Sequence, residues 1–330
     1  MLKFFKHNHI AQLVVIVLLL VVLWVPVFIA HVDDIAVGTP TTPLYNIFVG
    51  LFSRSSLTMT IFTFVVFGAS VFFFNSMLSV NQLVSRNSSI GAFVYVLCMC
   101  CVPLQEVYYP FLLACPFIMM AMQTIYLIYQ VEKPELYLMN TGLFLALASM
   151  FYFPSIILII WALISMMVMD IKGFRYYVIP ITSFLIPYFL LFAYYYFDRT
   201  LIESYNDYIL TINDLSLEKL RVSISEMSLL VLDLILLSLS FMMLKSGNAD
   251  NSVSTRKKVN VTLLLLIFSF SMLFIQRPVM YNGLMFMVIA VFISMALCYL
   301  KKTKIVDILI VVMMVAIIVN QYLPLFGIKI

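Results

Sequence analysis

Asp33 and Asp34 stand side by side in "FIAHVDDIAV", just past a long apolar run. A carboxylate held at a membrane surface could take the proton that a sugar hydroxyl loses as it attacks an activated sugar. Neighbouring aspartates point apart in most backbone conformations, so one of the two would serve as base. The other could hold a divalent metal or a backbone amide. Arg54, Arg199 and Arg277 suit the other half of such chemistry. A guanidinium makes two parallel bonds to phosphate oxygens, so each could grip the phosphate of a lipid carrier. Each feature also has a plainer reading. The aspartates could be solvated loop residues, and the arginines could mark helix ends by snorkelling. Asp233, within "LLVLDLILLSLS", is the remaining candidate. An ionisable group inside a span costs about 2.5–3.5 kcal/mol on insertion scales. It should therefore face the protein interior, either in a proton pathway or simply hydrogen-bonded to Ser or Tyr.

Composition says what must position these residues. The chain has 330 residues, of which 64% are hydrophobic and only 10% charged. Its mean hydropathy is +1.11. Soluble domains carry about 25% charged residues, so no water-facing surface could be built here. In a bilayer every backbone polar group needs an internal partner, which leaves helices or closed barrels. The apolar runs are mostly 15–24 residues without alternation; that excludes a barrel, whose strands alternate over about 10 residues. The five cysteines, Cys98, Cys100, Cys101, Cys115 and Cys298, all lie in apolar runs and read as small core residues. The first run, Ile10–Ala30, is too long for a signal h-region of about 7–15 residues and reads as a retained helix.

About eleven membrane segments are expected, near 10–30, 57–80, 90–104, 108–130, 138–152, 155–169, 176–197, 228–244, 260–276, 279–300 and 305–321. Segments 90–104, 138–152 and 155–169 fall short of the ~20 residues that cross a ~30 Å core. The last two meet at Pro154 and form either a hairpin or one kinked helix. With the N-terminus inside and a hairpin at Pro154, 13 of the 19 Lys and Arg lie inside, among them Lys6, Arg86, Lys133, Lys172 and Arg256–Lys258. Arg54, Arg199 and Arg277 then lie outside with the two aspartates. One merged helix would put Arg256–Lys258 and Lys301–Lys304 outside, against the positive-inside rule. The expectation is a multi-pass protein of the bacterial inner membrane, N-terminus cytoplasmic, all-α.

Three regions follow. Residues 1–197 form a seven-segment part with outer loop 31–56. Residues 198–227 carry Leu201, Tyr205, Tyr208, Ile209, Ile212 and Leu215 at helical spacing, an amphipathic segment along the outer interface. Ser223 and Glu226 make a capping box for the next helix. Residues 228–330 form a four-segment part. No P-loop, GxGxxG, metal cluster or Ser/His/Asp set occurs. His7 and His9 are expected inside and His31 outside, so histidine cannot assemble a metal site. No cofactor is expected, and nucleic acid is not an expected partner. The expected partners are membrane lipids, a polyprenyl-phosphate carrier and other envelope proteins.

Residues 80–197, with "SRNSSIGAFVYVLCMC", "GLFLALASMFYFP" and "KGFRYYVIP", resemble an uncharacterised family of multi-spanning inner-membrane proteins of Bacteroidota. A more distant likeness is to type C glycosyltransferases, which use polyprenyl-phosphate sugars. That resemblance implies a first helix, a long outer loop with an acidic catalytic residue at Asp33 or Asp34, an interfacial stretch at "TTPLYNIFVGLF", and short hairpins. It implies a role in cell-envelope glycan or lipid-linked sugar metabolism. A non-enzymatic membrane scaffold or assembly partner is the alternative, and it would show solid packing with no deep cavity. A transporter is a third reading, which paired broken helices would favour.

Overall fold

The structure, a computed structural model, describes residues 2–6, 10–29, 42–52, 56–101, 109–129, 131–199, 224–245, 252–272, 283–299 and 304–322. The body of the amphipathic segment and Ser223 of the capping box lie outside them. Every regular element among the described residues is a helix. In chain order these are α1 (Leu2–Phe5), α2 (Ile10–Ile29), α3 (Pro43–Phe52), α4 (Ser56–Val80), α5 (Ile90–Met99), α6 (Tyr109–Leu127) and α7 (Glu135–Phe151). A 3-10 turn (Phe153–Ile157) then leads to α8 (Leu158–Val168), α9 (Phe174–Phe197), α10 (Ile224–Lys245), α11 (Val253–Met272), α12 (Gly283–Tyr299) and α13 (Lys304–Tyr322).

Ile10–Ile29, Leu57–Val80, Pro110–Leu127 and Phe174–Phe197 are long and apolar enough to cross a membrane. The other apolar stretches are helical too, but they are shorter. Burial separates these helices in a way that hydropathy does not. Helix α9 is apolar on every side yet touches the protein on one face only. Leu185, Phe189, Leu190 and Phe192 stand exposed along it. A helix that is hydrophobic all round and unburied is built for lipid. By contrast α5 is buried at all ten positions, and α12 is buried from Gly283 to Leu297. These two pack together and form the axis of the core.

Side-chain contacts fix the direction of each helix. Trp24 and Phe28 of α2 meet Phe64 of α4 at centroid distances of 5.5 and 5.7 Å. The side chain of Asn75 on α4 donates to the Ser88 carbonyl and accepts from the Ala92 amide, so α5 turns back along α4. Thr124 and Thr141 bond at 2.8 Å at one end of α6 and α7, and Phe117 stacks on Phe151 toward the other. Helices α7 and α9 run parallel. Gly142 faces Pro180 and Ser183, and seven residues further on Ser149 bonds Tyr188 at 2.8 Å. Since α7 and α9 start at the same end, α8 must run back between them. The chain therefore makes a hairpin at Pro154 and not one kinked helix. Tyr152 is extended (φ −137°, ψ 97°), and the proline ring disfavours a helical residue before it.

This alternation brings Lys6, Arg86, Lys133, Lys172, Lys257 and Lys258 to one end of the bundle, the basic end, and Arg199 to the other. Three helices end in the same way. After α4, the Gln82 amide bonds the Ser79 carbonyl and the Leu83 amide bonds that of Leu78. After α8, the Asp170 amide bonds Met167 and the Ile171 amide bonds Met166. After α9, the Arg199 amide reaches Tyr196. The first two are complete Schellman caps, which satisfy the orphan carbonyls of a helix end. The left-handed residue is Gln82, Asp170 or Arg199, at φ 58°, 61° and 59°, where glycine is usual.

The α7–α9 seam depends on Gly142. A methyl group added there would collide with the Ser183 hydroxyl and the Pro180 carbonyl. Overpacking costs ~1–3 kcal/mol, at the upper end when the obstacle is backbone. Gly142→Ala is therefore expected to lower the thermal unfolding midpoint of the purified protein by several degrees. Gly68→Ala, where the added methyl meets open space, should leave the midpoint unchanged or raise it.

Candidate functional site

Helix α5 spans about 15 Å, so it stops in the middle of the bundle. Among the described residues the carbonyls of Cys100 and Cys101 find no donor within their own helix. The end of α13 supplies donors. Gln321 Nε2 donates to the Cys100 carbonyl at 2.9 Å, and Asn320 Nδ2 donates to that of Cys101 at 3.4 Å. Both amides are buried. The Cys101 thiol turns back to the Leu97 carbonyl at 3.3 Å.

Asp233 of α10 sits against this helix end and is fully buried. The Cys98 thiol donates to its Oδ1 at 3.9 Å, and the Cys101 thiol is the second sulfur beside it. Its Oδ2 has no hydrogen-bond partner among the described residues. No Lys, Arg or His among the described residues bonds to it. The pocket is therefore electronegative: a carboxyl group, two thiols and the negative end of a helix dipole. Such a place suits a proton or a small cation. A second buried chain of soft contacts lies nearby, from the Tyr95 hydroxyl to Cys115 Sγ at 3.1 Å and on to Met287 Sδ at 3.6 Å. Among the described residues, no three His, Cys, Asp or Glu are arranged to hold a metal ion.

At the end away from the basic cluster, α3 forms a cap. The Thr42 hydroxyl donates to the Phe151 carbonyl at 2.8 Å and so closes the end of α7. Tyr45 and Phe48 of α3 pack with Met59 and Leu113 into a small separate core. The stretch that the glycosyltransferase likeness makes interfacial is thus a helix lying on the α7–α8 hairpin.

Of the residues that the sequence singles out, Asp33, Asp34, Arg54 and Arg277 lie outside the described residues. Arg199 is exposed just after α9, away from the Asp233 pocket. Asp233 is buried, and the side chains that bond it are the thiols of Cys98 and Cys101. The pairing was missed because the cysteines read as core residues. The signal was present: Cys98 and Cys101 are three apart, which places them on one helix face.

The capping of α5 is open to test. Gln321→Leu leaves the Cys100 carbonyl buried without its donor, at a cost of ~1–3 kcal/mol. Its thermal midpoint should fall, while Asn75→Ala, at the other end of α5, should fall independently and additively. No protein-family model, curated protein or solved structure matches the chain.

Proposed function

We propose that the chain is a multi-pass protein of the bacterial inner membrane, N-terminus cytoplasmic, that acts on lipid-linked sugars of the cell envelope. Its ground plan would be that of a type C glycosyltransferase. The observation that carries this reading is α3, a short helix between two long ones, clamped by Thr42 onto the closed end of a helical hairpin. The segment with Asp33 and Asp34 joins Ile29 to this cap. Asp34 is five residues from Ile29, at most about 18 Å of extended chain, whereas α2 is about 30 Å long. This short tether supports a reading in which the two aspartates belong to the cap end, opposite the basic cluster. The uneven distribution of cations supports placing the basic end in the cytoplasm.

In this reading Asp33 or Asp34 takes the proton of an acceptor hydroxyl as its oxygen bonds to the sugar. The sugar–phosphate bond breaks, and the carrier leaves as a phosphate held by Arg54 or Arg277. General-base catalysis is typically worth 10²–10⁴-fold. Membranes containing the chain should transfer labelled hexose from a polyprenyl-phosphate donor to membrane acceptors. The Asp33→Asn/Asp34→Asn double variant should lose about a hundredfold or more. Full transfer by that variant would reject the catalytic role.

One observation favours a second reading, ion-coupled transport. Helix α5 ends inside the bundle beside the buried Asp233, and transporter ion sites are commonly formed where helices are interrupted near mid-membrane. Vesicles reconstituted with the protein and a pH-sensitive dye should then pass protons, and Asp233→Asn should abolish the flux. An equal flux in that variant would remove this reading and leave the first untouched.

A further inference from the structure

The basic end holds a cavity of about 350 Å³, lined by Gln82, Val84, Ser85, Arg86 and Cys298. It lies in the α4–α5 turn, against the last turn of α12. Three features of this turn point to an anion. Arg86 is exposed and forms no hydrogen bond or ion pair among the described residues. Its neighbours Gln82 and Ser85 offer an amide and a hydroxyl as further donors, and among the described residues no carboxylate lines the cavity. Gln82 occupies a left-handed position that a glycine would fill with less strain.

Two more cations stand at the rim. Lys6 Nζ donates to the carbonyl of Cys298 at 3.4 Å. Lys258 Nζ donates to the carbonyl of Asn81, the residue before Gln82, at 3.4 Å. Lys258 is half-buried, and that burial pushes its pKa down. A partly desolvated ammonium with one long bond to a neutral carbonyl is favoured by a nearby negative charge. The Asp170 carboxylate is engaged by Lys257.

We propose that this cavity binds the phosphate of an anionic lipid headgroup from the leaflet at the basic end. Basic pockets between membrane helices on the cytoplasmic side take such headgroups. The volume equals about twelve water molecules at ~30 Å³ each, room for a phosphate and part of its ester. Arg86 forms the paired bonds, and Gln82 and Ser85 donate to the remaining oxygens. The proposed enzyme chemistry uses none of these residues, so the failure of this site would not bear on it.

The test uses the full chain in detergent, with the thermal midpoint read during titration with phosphatidylglycerol, phosphatidylcholine or inorganic phosphate. Phosphatidylglycerol should raise the midpoint saturably, and phosphatidylcholine should not. Arg86→Gln should raise the half-saturating lipid fraction about tenfold. Lys172→Gln removes the same charge from the same end and should leave the curve unchanged. Gln82→Gly should raise the lipid-free midpoint by relieving the backbone, yet weaken the lipid response. A wild-type curve in Arg86→Gln, or an equal loss in Lys172→Gln, would overturn the site. An equal shift with inorganic phosphate would uphold the phosphate contacts and overturn the lipid source.

Discussion

A backbone carbonyl in hydrocarbon has no water to turn to, and α5 ends where several of them need partners. Gln321 and Asn320 answer that need from the far end of the chain. The consequence spreads outward. A helix that stops in mid-bundle must be enclosed, because lipid would not solvate its open end. Helix α12 encloses it along its length, α10 brings Asp233 against its last turn, and α13 closes it. The C-terminal helices thus converge on this capped helix end.

The N-terminal part answers a different demand. Its hairpin at Pro154 lets α7 and α9 run parallel at close range, and close range needs small residues. Gly142 and Ala146 on α7 provide them, four apart on one face. Van der Waals packing and the buried hydroxyl pair of Ser149 with Tyr188 then hold the seam, while Thr124 with Thr141 ties α7 to α6 on its other side. Interhelical polar bonds in membranes average about 0.6 kcal/mol each. The seam therefore depends on shape more than on its hydrogen bonds.

How much of this was readable from residue types differs from one element to the next. The positions of the helices were readable because long apolar runs have few other uses. The hairpin was readable from charge, since a merged helix would have stranded Arg256–Lys258 on the wrong side. The contrast between α5 and α9 was not readable. Both are apolar all round, and only packing shows that one is core and the other faces outward. The Asp233 pocket was half readable. The cost of burying a carboxyl predicted that it faces inward, but nothing local tied it to Cys98, 135 positions away. The turn at Gln82 left no sequence mark, because the cap there lacks its usual glycine. The acidic loop that prompted the enzymatic reading lies outside the described residues.

The left-handed caps have a wider meaning. Gln82, Asp170 and Arg199 each occupy a conformation that disfavours a side chain by roughly 1–2 kcal/mol. A small water-soluble domain holds only about 5–15 kcal/mol in reserve and would register three such departures. Helices already committed to hydrocarbon cannot fray into water without exposing their whole apolar length, so their connecting bends escape that scrutiny. Selection at the rims of this bundle is thereby released from conformational economy and free to act on what each protruding side chain touches.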